Sequence, residues 1–225
     1  MAKVAKKKES QGFFKFIKWF WIVFISGIAL VALVFLSTSW GLFGELPPYE
    51  YLENPQTNLA SQILSSDNKL LGKFYLDDNR TDIKYEDLPE NLVNTLIASE
   101  DIRFRDHSGI DARGTLRAAF FLGKRGGAST ITQQLARQLF VGVAARGWKR
   151  YTQKIKEWVL AVRLERSYTK EEIISMYLNI YDFGNNADGI RSASRIYFGK
   201  EPKDLKVEES AMLVGMLQNS SLFNP

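Results

Sequence analysis

The 225-residue chain contains no cysteine. Disulfides, thiolate metal sites and cysteine nucleophiles are therefore excluded, although this alone does not identify the compartment. Histidine occurs once, at His107. Net charge is also missing from most of the chain. The formal +5 sits in residues 1–18, where Lys3, Lys6, Lys7, Lys8, Lys15 and Lys18 face only Glu9. The remainder balances, with 24 basic and 24 acidic residues. The pI of about 9.3 thus belongs to a tail and is poor support for nucleic-acid binding. There is no internal repeat, and no low-complexity segment beyond that tail. The glycine pair Gly126-Gly127 is not followed by Gly-Lys-Ser/Thr, which excludes a Walker A loop. What is present is globular in composition, 45% hydrophobic and 24% charged, and long enough for one domain plus an anchor.

The anchor is Trp19 to Ser39, an uncharged apolar run of 21 residues, enough to span a bilayer core as a helix. Trp19, Trp21 and Trp40 lie near its ends, where aromatic belts form, and the Lys-rich flank 1–18 predicts a cytoplasmic N-terminus. A cleaved signal peptide is the rival, but the run is long for one and no clean A-x-A site follows. Leu46-Pro47-Pro48 ends the helix, and residues 40–58 read as a linker. Ser61 to Leu64 and Leu70 to Leu76 read as two strands around the turn Asp67-Asn68. From Asp87-Leu88-Pro89 onward the pattern is helical. One helix ends at Glu100, and others cover roughly 113–123, 128–141, 148–166, 170–180, 186–197 and 207–217.

Three stretches bear chemistry. In the first, Leu92, Val93, Leu96 and Ile97 deliver Glu100 and Asp101 to a helix C-terminus, where acidic groups oppose the dipole. A carboxylate beside apolar side chains suits a general base, although one such pair alone is more often a solvated helix end. In the second, Gly126-Gly127-Ala128-Ser129-Thr130-Ile131-Thr132-Gln133-Gln134 opens a helix whose free N–H groups suit a phosphate. Thr130, Gln134 and Arg137 share one face of it. The bland alternative is a glycine turn with a Ser/Thr cap. In the third, Lys149 to Glu157, Lys154 and Glu157 are three apart, which by itself describes a surface ion pair. The stretches 169–179 and 189–200 read as amphipathic scaffold helices.

Taken together and in order, these five blocks resemble the family 51 glycosyltransferases. These are the peptidoglycan glycosyltransferase domains of class A penicillin-binding proteins and the monofunctional transglycosylases. Glu100, Asp101, Phe104, His107 and Gly109 match E-D-x-x-F-x-x-H-x-G. The second block matches G-G-x-S-T-I-T-Q-Q. Lys154 and Glu157 match R-K-x-x-E. The fourth and fifth resemble K-x-x-I-L-E-x-Y-L-N and G-I-x-x-A-A-x-x-Y-F-G-K. The chain departs from the pattern at Gln153, Ser175 and Ser192. Ser66-x-x-Lys69 and Ser167-x-x-Lys170 match a transpeptidase motif by letter, but no K-T-G accompanies them. The chain looks like the N-terminal part of a longer bifunctional protein, ending at Phe223-Asn224-Pro225.

The resemblance implies a mainly α, lysozyme-like, two-lobed domain over 59–225, with a short N-terminal β-hairpin and one transmembrane helix. It implies polymerisation of lipid II into β-1,4-linked glycan with inversion and release of polyprenyl pyrophosphate. Glu100 would be the base and Glu157 a second active-site carboxylate. Asp101, Ser129, Thr130, Gln133, Gln134, Arg137, Lys149 and Lys154 would bind substrate. No metal ligand set is expected; Mg or Mn could aid pyrophosphate departure, but no carboxylate cluster has ligand spacing. Expected partners are lipid II, the nascent glycan, the bilayer and a cell-wall synthesis complex, without nucleic acid. The expected location is the bacterial inner membrane, single-pass, with the catalytic domain on its outer face. A lysozyme-like lytic hydrolase and a non-catalytic membrane scaffold are the alternatives.

Overall fold

The computed structural model describes residues 2–41, 46–47, 61–67, 70–74, 82–121, 127–142 and 147–218. Most of the 40–58 linker, Asn68, Gly126 and Phe223–Pro225 lie outside them. The chain divides into two units, Met1–Leu46 and Pro47–Pro225.

Among the described residues, the first unit contains one helix, α1 (Ala2–Ser39). Its segment Phe13–Thr38 has a mean hydropathy of 2.6, long and apolar enough to cross a membrane. That segment begins six residues before the run read from the sequence and takes in Lys15 and Lys18. The hydroxyls of Ser37 and Thr38 both donate to the carbonyl of Val34, at 2.8 Å. Each polar side chain is thus satisfied within the helix itself.

The second unit is mainly helical. Strands β1 (Ser61–Leu64) and β2 (Leu70–Phe74) pair antiparallel. Seven helices follow among the described residues: α2 (Glu90–Glu100), α3 (Ala112–Phe120), α4 (Ile131–Ala136), α5 (Trp148–Ser167), α6 (Lys170–Ile180), α7 (Gly189–Phe198) and α8 (Val207–Gln218). The central one is the shortest. Ile131, Thr132, Gln133, Leu135 and Ala136 of α4 are all fully buried, and α4 packs on both α5 and α6. Leu160, Ala161 and Leu164 of α5 and Ile173, Ile174 and Tyr177 of α6 complete this core. Helix α2 buries Leu92, Val93 and Leu96 and packs on α8.

Local chemistry explains most boundaries. Thr130 caps α4, its Oγ1 accepting from the Gln133 N–H at 3.1 Å, so the helix starts at Ile131 rather than near 128. After Ala136 the chain loosens into a π-helical turn, Arg137–Val141. Thr169 and Glu172 form a reciprocal capping box on α6, as T-x-x-E predicts. The sequence pattern places a helix start near 186, but α7 begins at Gly189. Asn185 and Asn186 take positive φ of 52° and 58°, and the Phe183 N–H donates to the Ala187 carbonyl at 3.0 Å. A tight turn therefore occupies the first three positions of the expected helix.

Gly109 joins the core to the functional region. It has φ +88°, and a Cβ there would lie 2.8 Å from the backbone C and O of Ala161 in α5. Its carbonyl accepts from Thr130 Oγ1 at 2.8 Å and from Gln133 Nε2 at 3.1 Å. Gly109→Ala combines a disfavoured φ with a backbone clash, a loss of about 1–3 kcal/mol from the strain alone. A thermal melt should show Tm lowered by at least several degrees. An unchanged Tm would mean that α5 moves aside freely.

Candidate active site

Glu100 is the last residue of α2 and stands four residues after the fully buried Leu96. This spacing turns its carboxylate toward the core. Oε2 accepts from Gln134 Nε2 of α4 at 2.9 Å. Oε1 is shielded from solvent and has no hydrogen-bond partner among the described residues. The Gln134 Oε1 in turn accepts from the Tyr177 hydroxyl of α6 at 3.1 Å. Three helices thus meet on one carboxylate. Burial pushes the Tyr177 hydroxyl far above its ordinary range, and the Glu100 charge adds to that push. Tyr181 is raised for the same two reasons, and the Arg137 cation pulls both back.

Asp101 follows Glu100 but leaves the helix with φ −157° and ψ 74°. Its carboxylate faces His107 Nε2 at 3.1 and 3.0 Å, and Oδ2 also accepts the Ile131 N–H at 3.1 Å. The acidic group that opposes the α2 dipole therefore serves the first N–H of α4, where negative charge is favoured. Gln133 is fully buried and spends its amide on Gly109.

Lys154 and Glu157 come from α5. The Lys154 ammonium donates to Glu157 Oε2 at 2.9 Å and to Ser129 Oγ at 2.8 Å. Glu157 is only 5% exposed, so its charge depends on that ammonium. The pair is therefore a link between α5 and the segment before α4, more than a surface contact.

A cavity of about 490 Å³ opens beside Glu100. Asp101, Ser129, Thr130 and Gln134 line it as well, together with Arg103, Asp111 and Arg117. Lys154 touches this lining through Ser129 and itself lines a broader groove of about 840 Å³ with Gly147, Arg150 and Tyr151. Of the residues expected at the substrate, Gln133 and Glu157 are buried and do not line this cavity. Arg137 sits in the π-helical turn, and Lys149 is exposed on the first turn of α5. Among the described residues no three carboxylate or histidine side chains converge as metal ligands.

Arg103, Asp111, Arg117 and Tyr177 are the residues that sequence reasoning missed. Arg103 Nε donates to both Asp111 oxygens, at 3.2 and 3.1 Å, and its guanidinium forms a second, shorter contact. Gly114 permits this arrangement, because a Cβ there would strike the Asp111 carboxylate. Arg117 donates to the Gly127 carbonyl at 3.3 Å. No periodicity pairs residues eight apart across a turn, so the sequence carries no signal for the Arg103–Asp111 contact.

Comparison with known proteins adds a second line of evidence. The profile of the transglycosylase family matches residues 67–225. The chain belongs to the transglycosylase family. It is 36% identical over 218 residues to penicillin-binding protein 1A of Pseudomonas aeruginosa, covering 94% of this chain and 25% of that protein. It is 38% identical over 185 residues to the Vibrio cholerae protein of the same name, covering 80% and 22%. It is 36% identical over 219 residues to that of Escherichia coli K12, covering 94% and 25%. The chain thus spans about a quarter of the length of these relatives. The family 51 resemblance read from the motifs is borne out, and the transglycosylase domain is a glycosyltransferase of the peptidoglycan class.

Within this transglycosylase domain the Arg103–Asp111 contact has a pH signature. The hydrogen bond from Arg103 holds the Asp111 carboxyl below the usual carboxylate range. A carboxyl lowered on folding stabilises the fold above its unfolded value of about 4, and that contribution disappears as pH falls through the folded value. Asp111→Asn should lower Tm modestly at pH 7 and converge with the wild type in strong acid. Parallel Tm curves across that range would deny the contact any share in stability.

Proposed function

We propose that the domain polymerises lipid II into β-1,4-linked glycan, with Glu100 as the general base. The observation that carries this reading is the Glu100 carboxylate, held by Gln134 through one oxygen with the other unpartnered, beside a cavity with cationic walls. A base must present a lone pair to the proton that it takes, and the carboxylate keeps lone pairs beyond the one that Gln134 occupies. The acceptor 4-hydroxyl loses its proton to Glu100 as its oxygen bonds to the donor C1. The C1–O bond to the pyrophosphate breaks, and the leaving group keeps the electron pair. Attack from the face opposite the leaving group inverts C1.

Charge grows on the pyrophosphate as that bond breaks, so fixed cations aimed at it lower the barrier. Lys154, Arg137 and Lys149 are assigned this task. Arg103 and Arg117 offer cationic wall to the cavity itself. Ser129 and Thr130 are assigned to substrate contact. Glu157 is assigned to holding Lys154 in place. Asp101 is assigned to positioning, since its carboxylate is engaged with His107 and Ile131. A lysozyme-like, two-lobed arrangement with an N-terminal hairpin fits this chemistry. Phe13–Thr38 is read as the membrane anchor, with the basic end cytoplasmic and the transglycosylase domain outside. The hydrolase alternative also needs a single Glu in an α-helical cleft, but it does not need a glycine pair and a basic cluster suited to a pyrophosphate, which favours transfer.

Labelled lipid II separates the readings by yielding polymer, cleavage of preformed glycan, or neither. Glu100→Gln should abolish polymer formation with the fold intact; near-wild-type synthesis would sink the base assignment. Glu157→Gln should retain more activity than Glu100→Gln, because a neutral amide can still accept from Lys154. Equal loss in the two would argue for direct chemistry at Glu157.

The cations make a second prediction. Arg137→Ala and Lys154→Ala should each slow turnover on the order of 10²–10³-fold. Lys154→Ala should also lower Tm, because it strands the buried Glu157 charge. Full turnover in either variant would remove that cation from the pyrophosphate site.

A further inference from the structure

We propose that Tyr177 is a positioning residue for Glu100, acting through the side-chain amide of Gln134; this rests on the reading of Glu100 as the base. The Gln134 amide sits between two partners. Its Nε2 donates to Glu100 Oε2 at 2.9 Å and its Oε1 accepts from the Tyr177 hydroxyl at 3.1 Å. A primary amide turned by 180° occupies nearly the same space. Packing alone therefore does not fix which end faces Glu100. In the wrong orientation the amide carbonyl would oppose the carboxylate and push it away.

Tyr177 removes that ambiguity. Its side chain is fully buried, and its ring lies 6.0 Å from that of Tyr181, so the hydroxyl cannot swing away to solvent. Burial and the nearby Glu100 charge keep the phenol protonated, and a protonated phenol donates. Its hydrogen bond holds the amide oxygen, and the amide N–H groups are left facing Glu100.

This makes the two Glu100 oxygens unequal. Oε2 is committed to the amide N–H, while Oε1 has no partner. Tyr177 resists a turn of the amide, so the N–H stays on Oε2 and the carboxylate is held in one position. The Tyr177 ring itself touches neither substrate nor the transferred proton.

The test uses Tyr177→Phe, which deletes one oxygen and keeps the ring. With labelled lipid II, kcat should fall on the order of tenfold with KM unchanged, since one buried hydrogen bond corresponds to about that factor. Gln134→Ala should be slower still. Adding Tyr177→Phe to Gln134→Ala should cause no further loss, because the hydroxyl acts only through the amide. An unchanged kcat, a change confined to KM, or an equal fold loss in the Gln134→Ala background would overturn the proposal. Glu100→Gln in the same assay tells the two failures apart. Polymer from that variant overturns the base reading and this inference with it. An inactive Glu100→Gln beside a fully active Tyr177→Phe overturns this inference alone.

Discussion

The site depends on one buried carboxylate, that of Asp101. Its oxygens meet His107 from the following turn and the Ile131 N–H at the start of α4. That contact ties the end of α2 to the start of the most deeply buried helix. Hydrogen bonds to an ionised group contribute about 1.5–3 kcal/mol each, roughly twice a neutral one. The Gly109 carbonyl, held by Thr130 and Gln133, repeats the tie one turn later. With the end of α2 and the segment after it both tied to α4, Glu100 and Gln134 are brought together. The His107 Nδ1 has no partner, which leaves Nε2 as the nitrogen that serves Asp101. The chain's single histidine is therefore a structural link, and the proposed chemistry is left to a carboxylate.

Much of this was legible in the sequence, for identifiable reasons. Helical spacing of apolar residues gave the helices, because each buries one face against its neighbours. Gly199, with φ +66° at the C-cap of α7, marked a helix end through local backbone chemistry. The 186–188 segment misled because Asn185 and Asn186 adopt positive φ, which no apolar pattern records. Within the site, Glu100 and Gln134 were legible as motif members, but their contact spans 34 residues. Such contacts depend on how helices are packed, and spacing within one helix says nothing about them. Arg103, Asp111 and Tyr177 escaped for the same reason. Each gains its meaning from a partner on another element or across a turn.

Lys154 and Glu157 show how burial changes the weight of a familiar pair. On an exposed helix, an i, i+3 ion pair contributes only a few tenths of a kcal/mol, roughly 0.2–0.5. Here the carboxylate side chain is 7% exposed and the ammonium side chain 34%. A buried acid next to a half-exposed base keeps the base in place without quenching it. The lysine spends one donor on Glu157 and one on Ser129, and an ammonium has three. The remaining donor and the exposed side of Lys154 are what a phosphate oxygen would need. Glu157 thus serves the proposed leaving-group site by fixing a cation, with no need to touch substrate.

The contrast between Glu100 and Asp101 is the most informative feature of the site. The two residues are adjacent and chemically alike, yet their surroundings differ at every point. The Asp101 backbone breaks from the helix, so its side chain swings toward donors on other elements and both oxygens are occupied. Glu100 keeps the helical direction of Leu96, so it reaches the cavity wall with one oxygen occupied and one shielded and unpaired. An unpaired buried carboxylate oxygen is costly, since its lost hydration is not replaced. Folding alone would favour pairing it, as it did next door. The cavity of about 490 Å³ that Glu100 lines supplies a reason for the cost on the proposed function, in which the missing partner is the hydroxyl of an acceptor sugar. On this argument the same dipeptide holds the frame with one carboxylate and keeps the other ready, and the break in the helix at Asp101 separates the two tasks.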